Sequence, residues 1–223
     1  MKRSSRARLT EHHLPQFPGD SLFDRLARVV CGAACLPRKE LFEAWEVGKR
    51  IRRRMRGGRI IDVAGGHGLL AWVLLLLDDS SPGAVVVDPR KPASFERLEA
   101  AIVARWPRLE GRVTYAERKL GDEDLGAGDL LCGVHACGPL TDRVLDIAIA
   151  ARCRVAALPC CHSVDRCDLG DLGGWLPVPL AVDATRVARL RGAGFDVHTM
   201  TIPEDITPEN RLLLGVPEGS RPE

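Results

Sequence analysis

The sequence predicts an α/β fold with a mostly parallel, seven-stranded, Rossmann-like sheet, helices on both faces and an N-terminal helical extension. Two observations carry this prediction. Short runs rich in Val, Ile and Leu alternate with helix-length segments along most of the 223 residues, and such alternation is typical of parallel strands joined by crossover helices. In addition, the apolar run 60–63 leads directly into a glycine-rich loop, as in sheets that bind nucleotides.

The N-terminal part divides into an arm and two helices. Residues 1–19 contain Pro15, Pro18 and Gly19, and we expect them to form a disordered basic arm. The segment 20–57 is expected to hold the N-terminal helices, because apolar residues recur at helical spacing within 21–35 and 38–56.

The remaining elements are expected to form one domain over residues 58–218. Strands are predicted at 60–63, 84–88, 112–117, 129–134, 155–158, 195–202 and 211–216. Helices are predicted at 69–77, 94–106, 141–151 and 184–192. We expect the last two strands to close the sheet as a hairpin-like pair.

Composition excludes several classes of protein. A 45% share of hydrophobic residues suits one domain with a sizeable core. The longest apolar run, Leu69 to Leu77, has nine residues, which is far short of the ~20 that cross a bilayer. The N-terminus lacks the apolar segment of a secretory signal. We therefore expect a cytoplasmic protein without a membrane partner, whose eight cysteines are reduced.

The net charge of +2 conceals an uneven distribution. Residues 1–59 carry 15 Lys and Arg against 6 Asp and Glu, whereas residues 60–223 carry 17 against 24. The densest basic segment is 49–56, a pattern that can follow the phosphates of RNA. It can equally be the solvated face of a helix in a chain with 27 arginines. RNA is thus a candidate partner, and no obligate protein partner is predicted.

The glycine-rich loop indicates a nucleotide cofactor. Asp62 precedes Gly65, Gly66 and Gly68; glycines let the backbone approach a ligand, and the next helix presents free amides. Dinucleotide loops read G-x-G-x-x-G and hold a pyrophosphate, which a carboxylate at position 62 would repel. The same carboxylate suits the positively charged methionine end of S-adenosylmethionine. A tight turn without a ligand is the alternative.

Acidic residues at the ends of the next two strands extend this prediction. Asp88 ends the second strand and is expected to accept hydrogen bonds from the cofactor's ribose. Glu117 and Asp122 compete for the adenine, because either can end the third strand. His67 either caps the loop or packs against its neighbours.

Two further loops are expected at the same edge of the sheet, where ligands of open parallel sheets bind. The loop 133–142 holds His135 and Asp142, which are candidate general bases for an acceptor that must lose a proton. His135 is also expected to contact the cofactor. The loop 158–163 is expected to face the substrate through Cys160, Cys161 and His162, together with Arg211 from the last strand.

The cysteines of these loops raise the question of zinc. Enough sulfur and nitrogen ligands for a tetrahedral site are present in Cys160, Cys161, His162 and Cys167, with Cys137 and His135 nearby. However, the paired C-x-x-C pattern is missing, and adjacent cysteines at a strand end point in opposite directions. We therefore expect reduced thiols lining an apolar pocket and no metal.

The combined motifs resemble a known family. They are Asp-x-x-Gly-Gly-x-Gly at 62–68, His-Ala-Cys-Gly at 135–138 with Thr-Asp at 141–142, and Pro-Cys-Cys-His at 159–162. They are similar to the methyltransferase domain of the methyltransferase-like 25 group and of the vertebrate proteins that join such a domain to a glutathione-transferase-like C-terminal region. The resemblance spans about residues 36–216.

The same loops are more distantly similar to the tRNA ribose-methylating family with a His-Leu-Cys-Gly loop and a Cys-Cys-His-His run. Here Ala136 and Ser163 replace the leucine and the second histidine. Both resemblances imply S-adenosylmethionine and a class I Rossmann-like methyltransferase fold. The predicted function is an S-adenosylmethionine-dependent methyltransferase, with tRNA or rRNA the favoured acceptor. A protein methyltransferase and a catalytically silent RNA-binding module are the alternatives.

Overall fold

The computed structural model describes residues 2–121 and 125–219 of the chain. The helices are α1 (Leu22–Ala33), α2 (Arg38–Arg54), α3 (Leu69–Leu77), α4 (Ala93–Arg105), α5 (Pro139–Ala151) and α6 (Val178–Gly192). The strands are β1 (Ile60–Val63), β2 (Ala84–Asp88), β3 (Val113–Glu117), β4 (Leu130–Gly133), β5 (Arg154–Ala157), β6 (Phe195–Thr201) and β7 (Arg211–Pro217). Short 3-10 turns lie at Glu11–Gln16, Pro107–Leu109 and Leu172–Gly174.

The seven strands form one sheet in the order β3-β2-β1-β4-β5-β7-β6. Strand β7 is antiparallel to both β5 and β6, and the other neighbours are parallel. The strand order reverses between β1 and β4, so the crevice that binds ligands in such sheets lies at their carboxyl ends. The predicted fold class and the terminal antiparallel pair are confirmed.

Alternation along the strands builds two apolar layers. Ile60 packs into the layer that α1 to α4 form on one face, whereas its neighbour Ile61 packs into the layer of α5 and α6. Helix α3 is buried along nearly its whole length, from Leu69 to Leu76. A helix buried on all sides explains why this run is continuously apolar rather than amphipathic.

Helix α2 lies against α3 and reaches the carboxyl end of the sheet. The close approach depends on Gly48, where an added Cβ would come within 2.6 Å of Val73 Cγ1. Packing of these helices places the first turn of α2 beside the glycine loop. In the described part of the chain, every helix is too short or too polar to cross a membrane.

The N-terminal arm differs from the prediction of a disordered basic arm over residues 1–19. Leu9 and Phe17 are buried, and the N–H of Leu9 donates to the carbonyl of Leu36 at 2.9 Å. The guanidinium of Arg28 donates to the carbonyls of Phe17 and Gly19, each at 2.6 Å. The two apolar residues anchor the arm on α1, and this outweighs the three turn-forming residues that indicated disorder.

Helix α6 starts earlier than the predicted residue 184. It begins at Val178, after Pro177, and holds Pro179 in its first turn. Proline is compatible with a first turn because the N–H groups there have no partner within the helix. The other helix and strand boundaries lie within two residues of the predicted ones.

Candidate functional site

A cavity of about 170 Å³ lies beyond the carboxyl end of β1, where the strand order reverses. Three segments build its walls: the glycine loop between β1 and α3, the first turns of α2, and the residues that follow β4. The polar side chains that line it are Glu40, Asp62, His67 and His135.

The glycines of the loop leave bare backbone against this cavity. Gly66 and Gly68 have φ angles of +50° and +73°, which side chains rarely tolerate. At Gly68 an added Cβ would lie 2.9 Å from Val86 Cγ2. At Gly66 an added Cβ would have no neighbour within 4 Å, so the surface there is open to a ligand. The loop therefore leaves an open backbone surface beside the cavity, at the place where the sequence predicts cofactor binding.

Asp62 is the buried carboxylate of the site. It is 2% exposed, and within the described residues its Oδ2 atom has no hydrogen-bond partner. Burial raises the pKa of Asp62 to about 7, an effect that the backbone N–H of Ala71 opposes and the charge of Asp88 reinforces. A buried oxygen without a partner is costly. A positively charged ligand in the cavity would supply the missing partner, as expected for the methionine end of S-adenosylmethionine.

His67 and Glu40 form the opposite wall. His67 Nδ1 contacts the hydroxyl of Ser94, and its Nε2 lies 3.6 Å from Glu40 Oε2. Burial and the neighbouring His135 lower the pKa of His67. Burial and the nearby Glu43 raise the pKa of Glu40 to about 7. Both shifts favour the uncharged forms, as the raised pKa of Asp62 does for that carboxyl.

Asp88 and Glu117 lie at the neighbouring strand ends and face each other in register. Asp88 Oδ1 accepts from the N–H of Arg90 at 3.2 Å, and Glu117 Oε2 accepts from the N–H of Lys91 at 2.8 Å. These positions extend the site outward along the rim, as predicted for a ribose and an adenine. The competing candidate Asp122 lies outside the described residues.

His135 follows β4 and lies at the mouth of the cavity. Part of its surface is open to solvent, while the surrounding protein displaces water and lowers its pKa. A largely neutral imidazole in this position can accept a proton from a bound group.

Asp142, the other candidate base, is held in an ion pair. Arg186 donates to it through Nε at 3.0 Å and through Nη2 at 2.7 Å, and Arg186 Nη2 also donates to the carbonyl of Gly138 at 3.1 Å. Arg186 is 2% exposed, and Asp142 does not line the cavity. From this pairing we infer a structural role for Asp142 in place of the proton-accepting role expected from the sequence.

Arg186 is a residue that the sequence reasoning missed. The sequence does contain an indication of its burial: Arg186 lies four residues from both Val182 and Leu190, on the apolar face of α6. An arginine in that position must find an anion or carbonyl inside the protein.

The second predicted loop forms a separate polar cluster. The His162 side chain is 2% exposed, and its Nε2 lies 2.9 Å from Asp183 Oδ1. Arg211 Nε donates to Asp183 Oδ2 at 2.6 Å, and His162 Nδ1 lies 3.7 Å from Glu209 Oε2. Asp183, which the sequence reasoning missed, thus joins two predicted residues that are 49 positions apart in the chain. Arg211 Nη2 also lies 3.5 Å from Glu209 Oε2.

A larger and mostly apolar cavity of about 580 Å³ lies beside this cluster, between α6, β6 and β7. Arg211 and Asp183 contribute its charged groups, and Leu180, Met200 and Leu212 contribute apolar ones. The cavity lies at the carboxyl end of β6, on the same rim as the cofactor cavity.

The cysteines of the two loops converge. Cys137 Sγ lies 2.7 Å from Cys160 Sγ, which lies 3.7 Å from Cys161 Sγ. The expectation that Cys160 and Cys161 point in opposite directions is wrong, because β5 ends at Ala157 and the residues beyond it are irregular.

The basic segment 49–56 does not form a single face. Arg52 is buried, donates to Ser81 Oγ at 2.7 Å and lies 3.2 Å from Asp78. Arg53, Arg54 and Arg56 are exposed. With Arg154, these three line a groove of about 650 Å³ at the amino ends of the strands, which also contains Asp196 and His198.

Comparison with known proteins places these features in a family context. Residues 44–165 match the profile of a family described as a methyltransferase domain. No curated protein matches the sequence. The matched region contains the glycine loop, His135 and the three converging cysteines.

Solved structures share the fold at low sequence identity. An O-methyltransferase family protein from Burkholderia thailandensis is 17% identical, with a TM-score of 0.51 over 94% of this chain and 68% of that one. The S-adenosylmethionine-dependent methyltransferase SibL is 20% identical, with a TM-score of 0.51 over 94% and 66%. Ribosomal protein L11 methylase from Lactobacillus delbrueckii subsp. bulgaricus is 13% identical, with a TM-score of 0.51 over 81% and 79%. The first two are longer, and this chain spans about two thirds of their length.

Proposed function

This chain belongs to the methyltransferase-domain family and is an S-adenosylmethionine-dependent methyltransferase, and we propose that its methyl acceptor is an RNA. The observation that carries the proposal is the separation between the cofactor cavity and the exposed arginines at the far end of α2. Glu40 lines the cavity and Arg53 lines the basic groove, and thirteen residues of one helix correspond to roughly 20 Å. A polymer can contact both sites at once, whereas a small acceptor cannot.

The residues of the cavity fit S-adenosylmethionine. Once bound, this cofactor supplies a methyl group on a positively charged sulfonium. Asp62, with its unpartnered Oδ2, would hold the methionine end against the backbone of Gly65, Gly66 and Gly68. Asp88 would accept from the ribose, and Glu117 would lie toward the adenine. The protein's remaining task is to align the acceptor and exclude water.

Two features favour RNA over a protein acceptor. The guanidinium groups of Arg53, Arg54 and Arg56 match phosphate geometry. Trp175 is 86% exposed and lies three residues before the start of α6, which begins at the carboxyl edge of the sheet. An exposed indole on the acceptor side suits stacking with an unpaired base.

Within the family, the motifs at 62–68, 135–138 and 159–162 support placing this chain with the methyltransferase-like 25 type. Where the acceptor atom is a hydroxyl, His135 is the group placed to take its proton, since it lies at the mouth of the cavity. We also propose that Cys160, Cys161, His162 and Arg211 line or support the acceptor side. A cytoplasmic location, where thiols stay reduced, belongs to the same proposal.

The acceptor class is tested by methyl transfer from tritiated S-adenosylmethionine to a cell extract. We expect the label to become soluble after ribonuclease treatment and to resist protease. Label released by protease alone would overturn the RNA proposal in favour of protein methylation. Absence of transfer to any extract, with cofactor binding intact, would favour the catalytically silent alternative.

The basic groove is tested with a charge-matched pair of variants. Arg53→Ala/Arg54→Ala should weaken RNA binding and reduce the slope of log Kd against log salt by roughly 0.7 for each arginine that contacts a phosphate of a single strand. Arg105→Ala/Arg143→Ala removes the same charge from exposed positions on α4 and α5 and should change neither quantity. Equal effects of the two variants would show that net charge alone is responsible.

A further inference from the structure

We propose that Cys137, Cys160 and Cys161 form a binding site for one zinc ion, held by three thiolates with a fourth position open. The three sulfur atoms all lie within 4.8 Å of one another. The zinc site gives a ligand to thiols that the sequence analysis expected to line an apolar pocket. The proposal does not depend on the identity of the methyl acceptor.

The topology brings these cysteines together from two separate loops. Strands β4 and β5 are parallel neighbours in which Gly133 pairs with Ala157. Cys137 follows Gly133 by four residues, and Cys160 and Cys161 follow Ala157 by three and four. The two loops therefore leave the sheet side by side, and their cysteines meet at the same height above its edge.

The distances suit a shared cation. Zinc binds thiolate sulfur at about 2.3 Å, so two sulfurs of a tetrahedral site lie roughly 3.8 Å apart. The Cys160–Cys161 separation of 3.7 Å already has this value. The Cys137–Cys160 separation of 2.7 Å is shorter and requires a side-chain rotation at the exposed Cys137. A disulfide between these two would leave the convergence of Cys161 without a reason.

The exposure of the three cysteines also allows a metal ion to bind. Cys137 and Cys161 are exposed and Cys160 is half-buried, so an ion has access to all three. Zinc binds cysteine as the thiolate, so its binding releases the thiol protons.

The nearest other ligand types in the second loop have partners elsewhere. His162 contacts Asp183 and Glu209. Cys167 is buried, and Arg186 Nη2 donates to its sulfur at 3.9 Å. The ligand set among the described residues is therefore three sulfurs. Sites with three protein ligands and an open position are the arrangement that zinc adopts where it binds water or a substrate.

The experiment is metal binding by the full-length, reduced protein. After removal of metal with a chelator, we expect one equivalent of Zn²⁺ to rebind, measured by mass spectrometry of the metal content. One equivalent of Co²⁺ should give the sulfur-to-cobalt charge-transfer band and the visible bands of a tetrahedral site. Competition with a chromophoric chelator then gives the Zn²⁺ affinity.

Serine variants identify the ligands. Cys137→Ser, Cys160→Ser and Cys161→Ser should each weaken Zn²⁺ binding by about tenfold or more and each reduce the charge-transfer intensity by about a third, in proportion to the one thiolate lost of three. Cys167→Ser is the matched control from the same segment and should keep both. The cobalt spectrum is read on each single variant separately, so misfolding of one variant does not affect the result from the other two.

Three results would overturn the proposal. The first is that the reduced protein binds neither Zn²⁺ nor Co²⁺. The second is that all three serine variants bind these ions as tightly as the wild type. Recovery of a Cys137–Cys160 disulfide from protein kept under reductant would likewise assign the cluster to thiol pairing instead of metal binding.

Discussion

Gly65 lies so close to the buried carboxylate of Asp62 that a Cβ at residue 65 would come within 2.7 Å of Asp62 Oδ2. The same added atom would lie 2.9 Å from Val86 Cγ1, so a methyl group at residue 65 would clash with both side chains. The glycine is therefore required by the position of the carboxylate as much as by the course of the loop. This links the shape of the loop to the one buried side-chain oxygen that lacks a hydrogen-bond partner among the described residues.

Gly65→Ala should accordingly weaken cofactor binding by displacing Asp62. Overpacking of this kind costs about 2 kcal/mol, which corresponds to roughly a 30-fold increase in Kd. Calorimetric titration with S-adenosylmethionine measures it. Gly32→Ala is the control, because a Cβ at this position of α1 would have no neighbour within 4 Å, and its Kd should equal that of the wild type. Unchanged binding by Gly65→Ala would separate Asp62 from the cofactor site.

The charge of Asp62 should make cofactor binding depend on pH. Its pKa is raised to about 7, so the carboxylate gains its charge only as the pH approaches that value. Affinity for a positively charged ligand should rise by up to about tenfold per pH unit between pH 5 and pH 7 and then level off. Asp62→Asn should lower affinity about 10- to 100-fold and flatten this profile. Glu40, whose pKa is raised to a similar value, would account for any dependence that persists in the variant.

The same shift predicts how stability changes with pH. Folded Asp62 holds its proton more tightly than an unfolded aspartate of pKa 3.8, so ionisation disfavours the folded state as the pH rises from about 4 to about 7. Asp62→Asn removes this effect. Relative to the wild type, its free energy of unfolding in urea should increase with pH, by up to about 4 kcal/mol, and should plateau above pH 7. A difference between the two proteins that stays constant with pH would contradict the raised pKa.

The variant Asp142→Asn tests whether this carboxylate stabilises the fold or acts as the general base. Removing the charge leaves Arg186, which is 2% exposed, with an incompletely compensated charge and should cost about 3 kcal/mol of stability. The kcat of the folded variant should stay close to that of the wild type, because Asp142 does not line the cofactor cavity. A large loss of kcat with unchanged stability would restore Asp142 as the general base.

Helices, strands and short motifs could be predicted from the sequence, whereas contacts between residues far apart in the chain could not. Strand and helix positions follow from apolar periodicity, and the cradle follows from Asp62 and its glycines, because these features lie within one short segment. The Arg186–Asp142 pair joins residues 44 positions apart, and Asp183 meets His162 from another helix. Such contacts depend on which strands are neighbours, an order that apolar patterns do not specify. The sequence analysis expected the loops of Cys137 and Cys160 at one edge of the sheet, but the distance between their sulfur atoms required the structure.

The exposed indole of Trp175 provides the final test of the acceptor. Stacking of one base on an aromatic side chain is worth about 1–3 kcal/mol, so Trp175→Ala should raise the Kd or KM for single-stranded RNA by about tenfold. Trp175→Phe retains an aromatic face and should recover most of the affinity. Neither change should alter the free energy of unfolding, because the side chain is 86% exposed, or the Kd for S-adenosylmethionine. A loss of RNA affinity shared equally by the phenylalanine variant would exclude stacking, and unchanged RNA binding in both variants would place the acceptor elsewhere on the rim.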